Sequence, residues 1–103
     1  MNYGLKNQTI EKIKEVFSHH PRIEKVVLYG SRAKGNFKTG SDIDLTLFGS
    51  SLDFPLLLRV EEDLEKLDLP YTFDLSIHRN IKNKNLLDHI SRVGTTFYSK
   101  ESP

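Results

Sequence analysis

Three aspartates and a glycine-serine pair are the residues of this sequence best suited to chemistry. Asp42 and Asp44 stand at i and i+2 in the alternating segment Asp42-Ile43-Asp44-Leu45-Thr46-Leu47-Phe48. On an extended strand two such residues share a face, with Cα atoms about 6–7 Å apart, so their carboxylates can converge. Asp74 lies on the polar side of a later alternating segment, Tyr71-Thr72-Phe73-Asp74-Leu75-Ser76-Ile77-His78. A directly paired strand would bring it to about 4.8 Å. Carboxylates gathered in this way repel and raise one another's pKa unless a proton or a cation compensates. Oxygen donors, no cysteine and no well-spaced histidine pair point to Mg²⁺ or Mn²⁺ rather than zinc. Two such ions held by shared carboxylates serve in-line phosphoryl or nucleotidyl displacement.

Separated from Asp42 by ten residues is Gly30-Ser31, at the head of a stretch, 30–40, with three glycines, Arg32, Lys34, Lys38 and no acid. That combination can hold a phosphate. Each part also has a plainer meaning: Asp-x-Asp occurs on solvent-facing strands, Gly-Ser in turns, and a basic run is commonly a solvated loop. The combination is what sets this chain apart: Gly-Ser, a gap of residues 32–41, Asp42-Ile43-Asp44, and a later aspartate in an apolar frame.

The hydrophobic pattern supplies the elements that must position these groups. Ile10, Ile13, Val16 and Phe17 recur at helical spacing, with Asn7 or Thr9 as N-cap and Pro21 closing the segment. Residues 23–29 read as a buried strand running into Gly30-Ser31, which opens a short helix. Residues 42–48 form a second strand with Ile43, Leu45 and Leu47 on one face. Leu57, Val60, Leu64 and Leu67 mark a helix over 53–67, with Pro55 in its first turn and Glu61, Glu62 and Glu65 on its acidic side. Residues 71–78 form a third strand. A last helix over 83–93 carries Leu86, Leu87, Ile90 and Val93 and stops at Gly94, and 95–98 can add an extended tail. The order α-β-(short α)-β-α-β-α predicts an α/β (α+β) domain, a small sheet with helices on at least one face. The alternation leaves open whether that sheet is parallel or mixed.

Leu28-Tyr29-Gly30-Ser31-Arg32-Ala33-Lys34-Gly35, followed by Gly40-Ser41-Asp42-Ile43-Asp44-Leu45, resembles the signature of the minimal nucleotidyltransferases of the DNA polymerase beta-like superfamily, and Phe73-Asp74-Leu75 matches its third acidic position. The resemblance spans nearly the whole chain. It implies one minimal nucleotidyltransferase domain over 1–103, with a small mixed sheet of three to four strands. It implies that Gly30, Ser31 and Arg32 bind the nucleotide. Asp42, Asp44 and Asp74 would be the catalytic residues and the ligands of two Mg²⁺ or Mn²⁺ ions, with ATP as substrate. It further implies an antitoxin of a toxin–antitoxin pair that transfers AMP to a hydroxyl of a small helical HEPN-type partner. The alternative is a non-catalytic nucleotide- or partner-binding module that neutralises or scaffolds the HEPN-type protein by contact.

Composition narrows the field without choosing among these. The 103 residues are enough for one domain, and 37% hydrophobic with 28% charged residues fit a folded globule. Without cysteine there is no disulfide framework, so core packing must stabilise the fold. A net charge of +1 argues against strong nucleic-acid binding, and no apolar run approaches the roughly 20 residues of a membrane span. The expected location is the cytoplasm. Charge is uneven: 42–68 carries eight acids against two bases, a net of −6, leaving +7 for the rest. Leu56, Leu57 and Leu58 are consecutive on a helix, where side chains fan out by about 100° each, giving either a broad buried face or an exposed leucine. Homo-oligomerisation is left open. The adjacent His19 and His20 cannot share a helix face, His78 lies roughly 13 Å along the strand from Asp74, and Tyr29 is expected to pack rather than react.

Overall fold

A computed structural model describes residues 2–100. Helix α1 spans Asn7–Ser18, and its apolar stripe Ile10, Ile13, Val16 and Phe17 is buried as the periodicity predicts. Its N-cap is Lys6, which makes no side-chain capping bond, so neither Asn7 nor Thr9 plays that part. Strand β1 (Lys25–Tyr29) leads through Gly30 into the one-turn helix α2 (Ser31–Lys34), and β2 covers Ile43–Phe48. Helix α3 (Phe54–Glu65) is capped by Asp53, whose carboxylate accepts the Leu56 N–H at 2.9 Å, with Pro55 in the first turn. Strand β3 (Phe73–Ile77) passes into a 3₁₀ turn, His78–Asn80. Helix α4 (Lys84–Val93) is capped by Asn83 through the Leu86 N–H at 3.1 Å, and the tail becomes a true strand, β4 (Thr95–Ser99).

The four strands lie in the order β3-β2-β1-β4, with β1 antiparallel to both β2 and β4 and β2 parallel to β3. The sheet is therefore mixed. Its two faces do different work. Val26, Leu28, Ile43, Leu45, Leu47, Ile77 and Phe97 turn to one side, where they close the main core with the apolar stripes of α1 and α3. Burying a side chain of this size contributes about 1.5–3 kcal/mol. On the other side Val27 and Tyr29 pack with Ile90 of α4, flanked by Phe48, Ile81 and Leu86. Of the three consecutive leucines, Leu56 is buried and Leu58 is 43% exposed, next to Phe54 at 65%. Among the described residues no helix is long and apolar enough to cross a membrane.

Candidate active site

The strand register sets the site. Tyr29 of β1 is paired with Asp44 of β2, and Asp44 with Asp74 of β3, so the three form one rung across the sheet on the face that carries α4. The next rung on that face is Val27, Thr46 and Ser76, where the Ser76 hydroxyl donates to Thr46 Oγ1 at 2.9 Å. Asp42 immediately precedes β2 and is exposed, as is Asp74, while Asp44 is partly buried. Burial pushes the Asp44 carboxyl up to about 6, and the charges of Asp74 and Asp42 push the same way against a smaller opposing effect of Arg32. Burial likewise raises the Tyr29 hydroxyl, partly offset by a hydrogen bond with Ser76, with the charges of Asp74 and Asp44 adding to the rise.

The loop beyond β1 is built around Gly30. Its φ of +77° and ψ of −158° lie in a region open to glycine, and a Cβ there would run into the Asp44 carboxylate. Glycine thus lets the backbone and the acid occupy adjoining space. The Gly30 N–H donates to His89 Nε2 at 3.1 Å, and its carbonyl accepts the Lys34 N–H at 3.1 Å. Ser31 follows as the first residue of α2.

Arg32 departs from the sequence expectation. It is 2% exposed, and its Nε and Nη2 donate to the Ser41 carbonyl at 3.1 and 2.9 Å while Nη1 donates to the Tyr3 carbonyl at 2.9 Å. The guanidinium lies over the rings of Phe37 and Tyr71, 5.2 and 5.0 Å from their centroids. A side chain so enclosed ties the loop before Asp42 to the N-terminal segment and is not presented to a ligand. Lys34 and Lys38 are exposed. His20 Nε2 is hydrogen-bonded with the Asp63 carboxylate at 2.8 Å, and His78 stacks on Phe48 with ring centroids 4.2 Å apart. Both histidines have structural partners outside the carboxylate rung. His89 carries no sequence signal: it is 59 residues from Gly30, and only the packing of α4 on the sheet brings the two together.

Among the described residues, no three His, Asp or Glu side chains are already gathered as a cation cage. The donors nevertheless suit a hard divalent ion. Asp44 and Asp74 are register partners, Asp42 and Asp74 both raise the proton affinity of Asp44, and a bound cation relieves the same repulsion that a proton does.

The profile of the polymerase beta nucleotidyltransferase family matches residues 11–103. The chain belongs to that family. No curated protein matches it. Several solved structures share the nucleotidyltransferase fold. A toxin–antitoxin structure with AMP-PNP aligns with a TM-score of 0.71 at 22% identity, covering 89% of this chain and 74% of the other. An MNT antitoxin complex with the tri-AMPylated HEPN toxin of Shewanella oneidensis aligns at 0.66 and 19% identity, covering 92% and 73%. The toxin–antitoxin pair MntA–HepT gives 0.66 and 20% identity, covering 91% and 73%. The polymerase beta family assignment and this fold agree with the resemblance carried by Gly30-Ser31 and Asp42-Ile43-Asp44.

Proposed function

We propose that this chain is a metal-dependent nucleotidyltransferase that moves AMP from ATP to a hydroxyl of a small helical HEPN-type partner protein, as the antitoxin of the pair. The observation that carries the reading is the rung Tyr29–Asp44–Asp74 beside Gly30, whose positive φ favours glycine. A site with no use for a cation would gain nothing from holding like charges together. Support for the partner comes from the structural relatives, which include an MNT antitoxin bound to an AMPylated HEPN toxin and a toxin–antitoxin complex holding AMP-PNP.

In this reading Asp42, Asp44 and Asp74 would hold two Mg²⁺ or Mn²⁺ ions. Such ions, when bound, neutralise the charge of the triphosphate and favour the ionised acceptor hydroxyl. Gly30 gives the phosphates close access to the backbone, and the Ser31 hydroxyl donates to a phosphate oxygen. Asp74, the exposed carboxylate of the rung, takes the proton of the acceptor hydroxyl. The acceptor oxygen bonds to the α-phosphorus, the bond from that phosphorus to the bridging oxygen breaks, and pyrophosphate leaves. Arg32 serves the reaction indirectly, by fixing the loop that ends at Asp42.

The test is intact-mass analysis of a HEPN-type partner incubated with this chain, Mg²⁺ and each nucleoside triphosphate in turn. A gain of one or more AMP masses with ATP, lost in Asp42→Ala and Asp44→Ala, is expected. Neutralisation of the partner that persists in the double variant with no mass gain points instead to the contact-only module.

A further inference from the structure

We infer that His89 is a positioning residue of the nucleotide site, holding Gly30 so that the turn carrying Ser31 is set in place before phosphate binds. The inference rests on the reading of Gly30 and Ser31 as nucleotide-binding. Three observations carry it. The Gly30 N–H donates to His89 Nε2 at 3.1 Å, a contact made from α4 to the end of β1. The same imidazole packs edge-on against the Tyr29 ring, with centroids 6.2 Å apart and planes at 80°. Tyr29 in turn occupies the rung of Asp44 and Asp74. One side chain therefore touches both the loop that would receive phosphate and the strand residue beside the carboxylates.

The chemistry of the contact fixes its role. An Nε2 that accepts a hydrogen bond carries no proton, so the neutral ring has its proton on Nδ1. The Gly30 N–H is then spent within the protein, and its carbonyl is held by the Lys34 N–H at 3.1 Å. With its N–H and its carbonyl both tied, a glycine whose φ is +77° cannot relax into the many other conformations open to that residue. The backbone position from which Ser31 projects at the start of α2 is thereby fixed. Pre-organisation of this kind raises affinity by removing the ordering cost from the binding step.

His89→Phe keeps an aromatic ring against Tyr29 and removes the acceptor, whereas His89→Gln keeps an acceptor oxygen at similar reach and removes the ring. Two measurements separate them: the dissociation constant for AMP-PNP with Mg²⁺, and hydrogen exchange of the Gly30 amide in the protein without nucleotide. His89→Phe is expected to weaken AMP-PNP binding about tenfold and to speed Gly30 exchange, and His89→Gln to restore both to within about threefold of wild type. Unchanged binding in His89→Phe overturns the inference, as does a His89→Gln variant as weak as His89→Phe, which would make ring packing the cause. Should the wild type bind no nucleotide, the proposed function and this extension fall together, and the exchange rates still show whether the contact orders the loop.

Discussion

Replacing Asp44 by asparagine should make the nucleotide-free protein more stable at neutral pH while removing its capacity to bind Mg²⁺ with nucleotide. Asparagine keeps the size of the side chain and removes the charge that burial, Asp74 and Asp42 all oppose. Raising an acid from 3.8 to about 6 corresponds to about 3 kcal/mol at ~1.4 kcal/mol per pH unit. Water around this partly exposed side chain screens the charges, leaving about 1–2 kcal/mol. The sign follows from proton linkage. The folded protein keeps the Asp44 proton to higher pH than the unfolded chain, so wild type loses this stability as pH rises from about 4 to about 6. The variant has no proton to lose. Urea or thermal denaturation without divalent cation should therefore find Asp44→Asn ahead by about 5–10 °C at pH 7.5, and the gap should close by about pH 4. Addition of Mg²⁺ and AMP-PNP should stabilise wild type and not the variant. A variant less stable than wild type at pH 7.5, or a gap that does not change with pH, would refute the electrostatic reasoning.

Two further outcomes follow from the loop. Gly30→Ala places a Cβ against the Asp44 carboxylate at a φ of +77°, so denaturation should show a loss of about 2 kcal/mol or more, with nucleotide binding weakened in parallel. Arg32→Lys retains the charge but cannot reproduce the three N–H donations to Ser41 and Tyr3, so it should cost about 2–3 kcal/mol in a urea titration. A variant as stable as wild type would mean that the clamp is not formed in solution.

Residue pattern made most of the fold legible because local rules and tertiary packing agree. Ile10, Ile13, Val16 and Phe17 all reach the core, and Asp53 and Asn83 stand where helices were expected to begin and cap them through Leu56 and Leu86. The start of α1 was not legible, since Lys6 caps it without a side-chain bond and Asn7 already belongs to the helix. Alternation could not decide the sheet type: it places Asp44 and Asp74 on polar faces, but only the register makes them direct partners. The enclosure of Arg32 is not legible in the sequence, because the partners of its guanidinium are backbone carbonyls, which no residue type reveals. The role of His89 is not legible in the sequence for a related reason, as its partner is the N–H of Gly30 and its place depends on α4 packing on the face of the sheet. The Gly-Ser and Asp-x-Asp spacing is readable from the chain alone, whereas the positive φ of Gly30 and the rung it abuts are seen only in the structure.

Asp42, Asp44 and Asp74 are proposed to hold a divalent cation with nucleotide beside Gly30. Paramagnetic broadening by Mn²⁺ with AMP-PNP in amide-resolved NMR tests it most directly. Amide signals of Tyr29, Gly30, Ser31, Asp42, Asp44 and Asp74 should vanish first, those of Ile10 and Ile13 in α1 should persist, and Asp44→Asn should abolish the pattern. Broadening centred elsewhere, or the same pattern in Asp44→Asn, would contradict the claim.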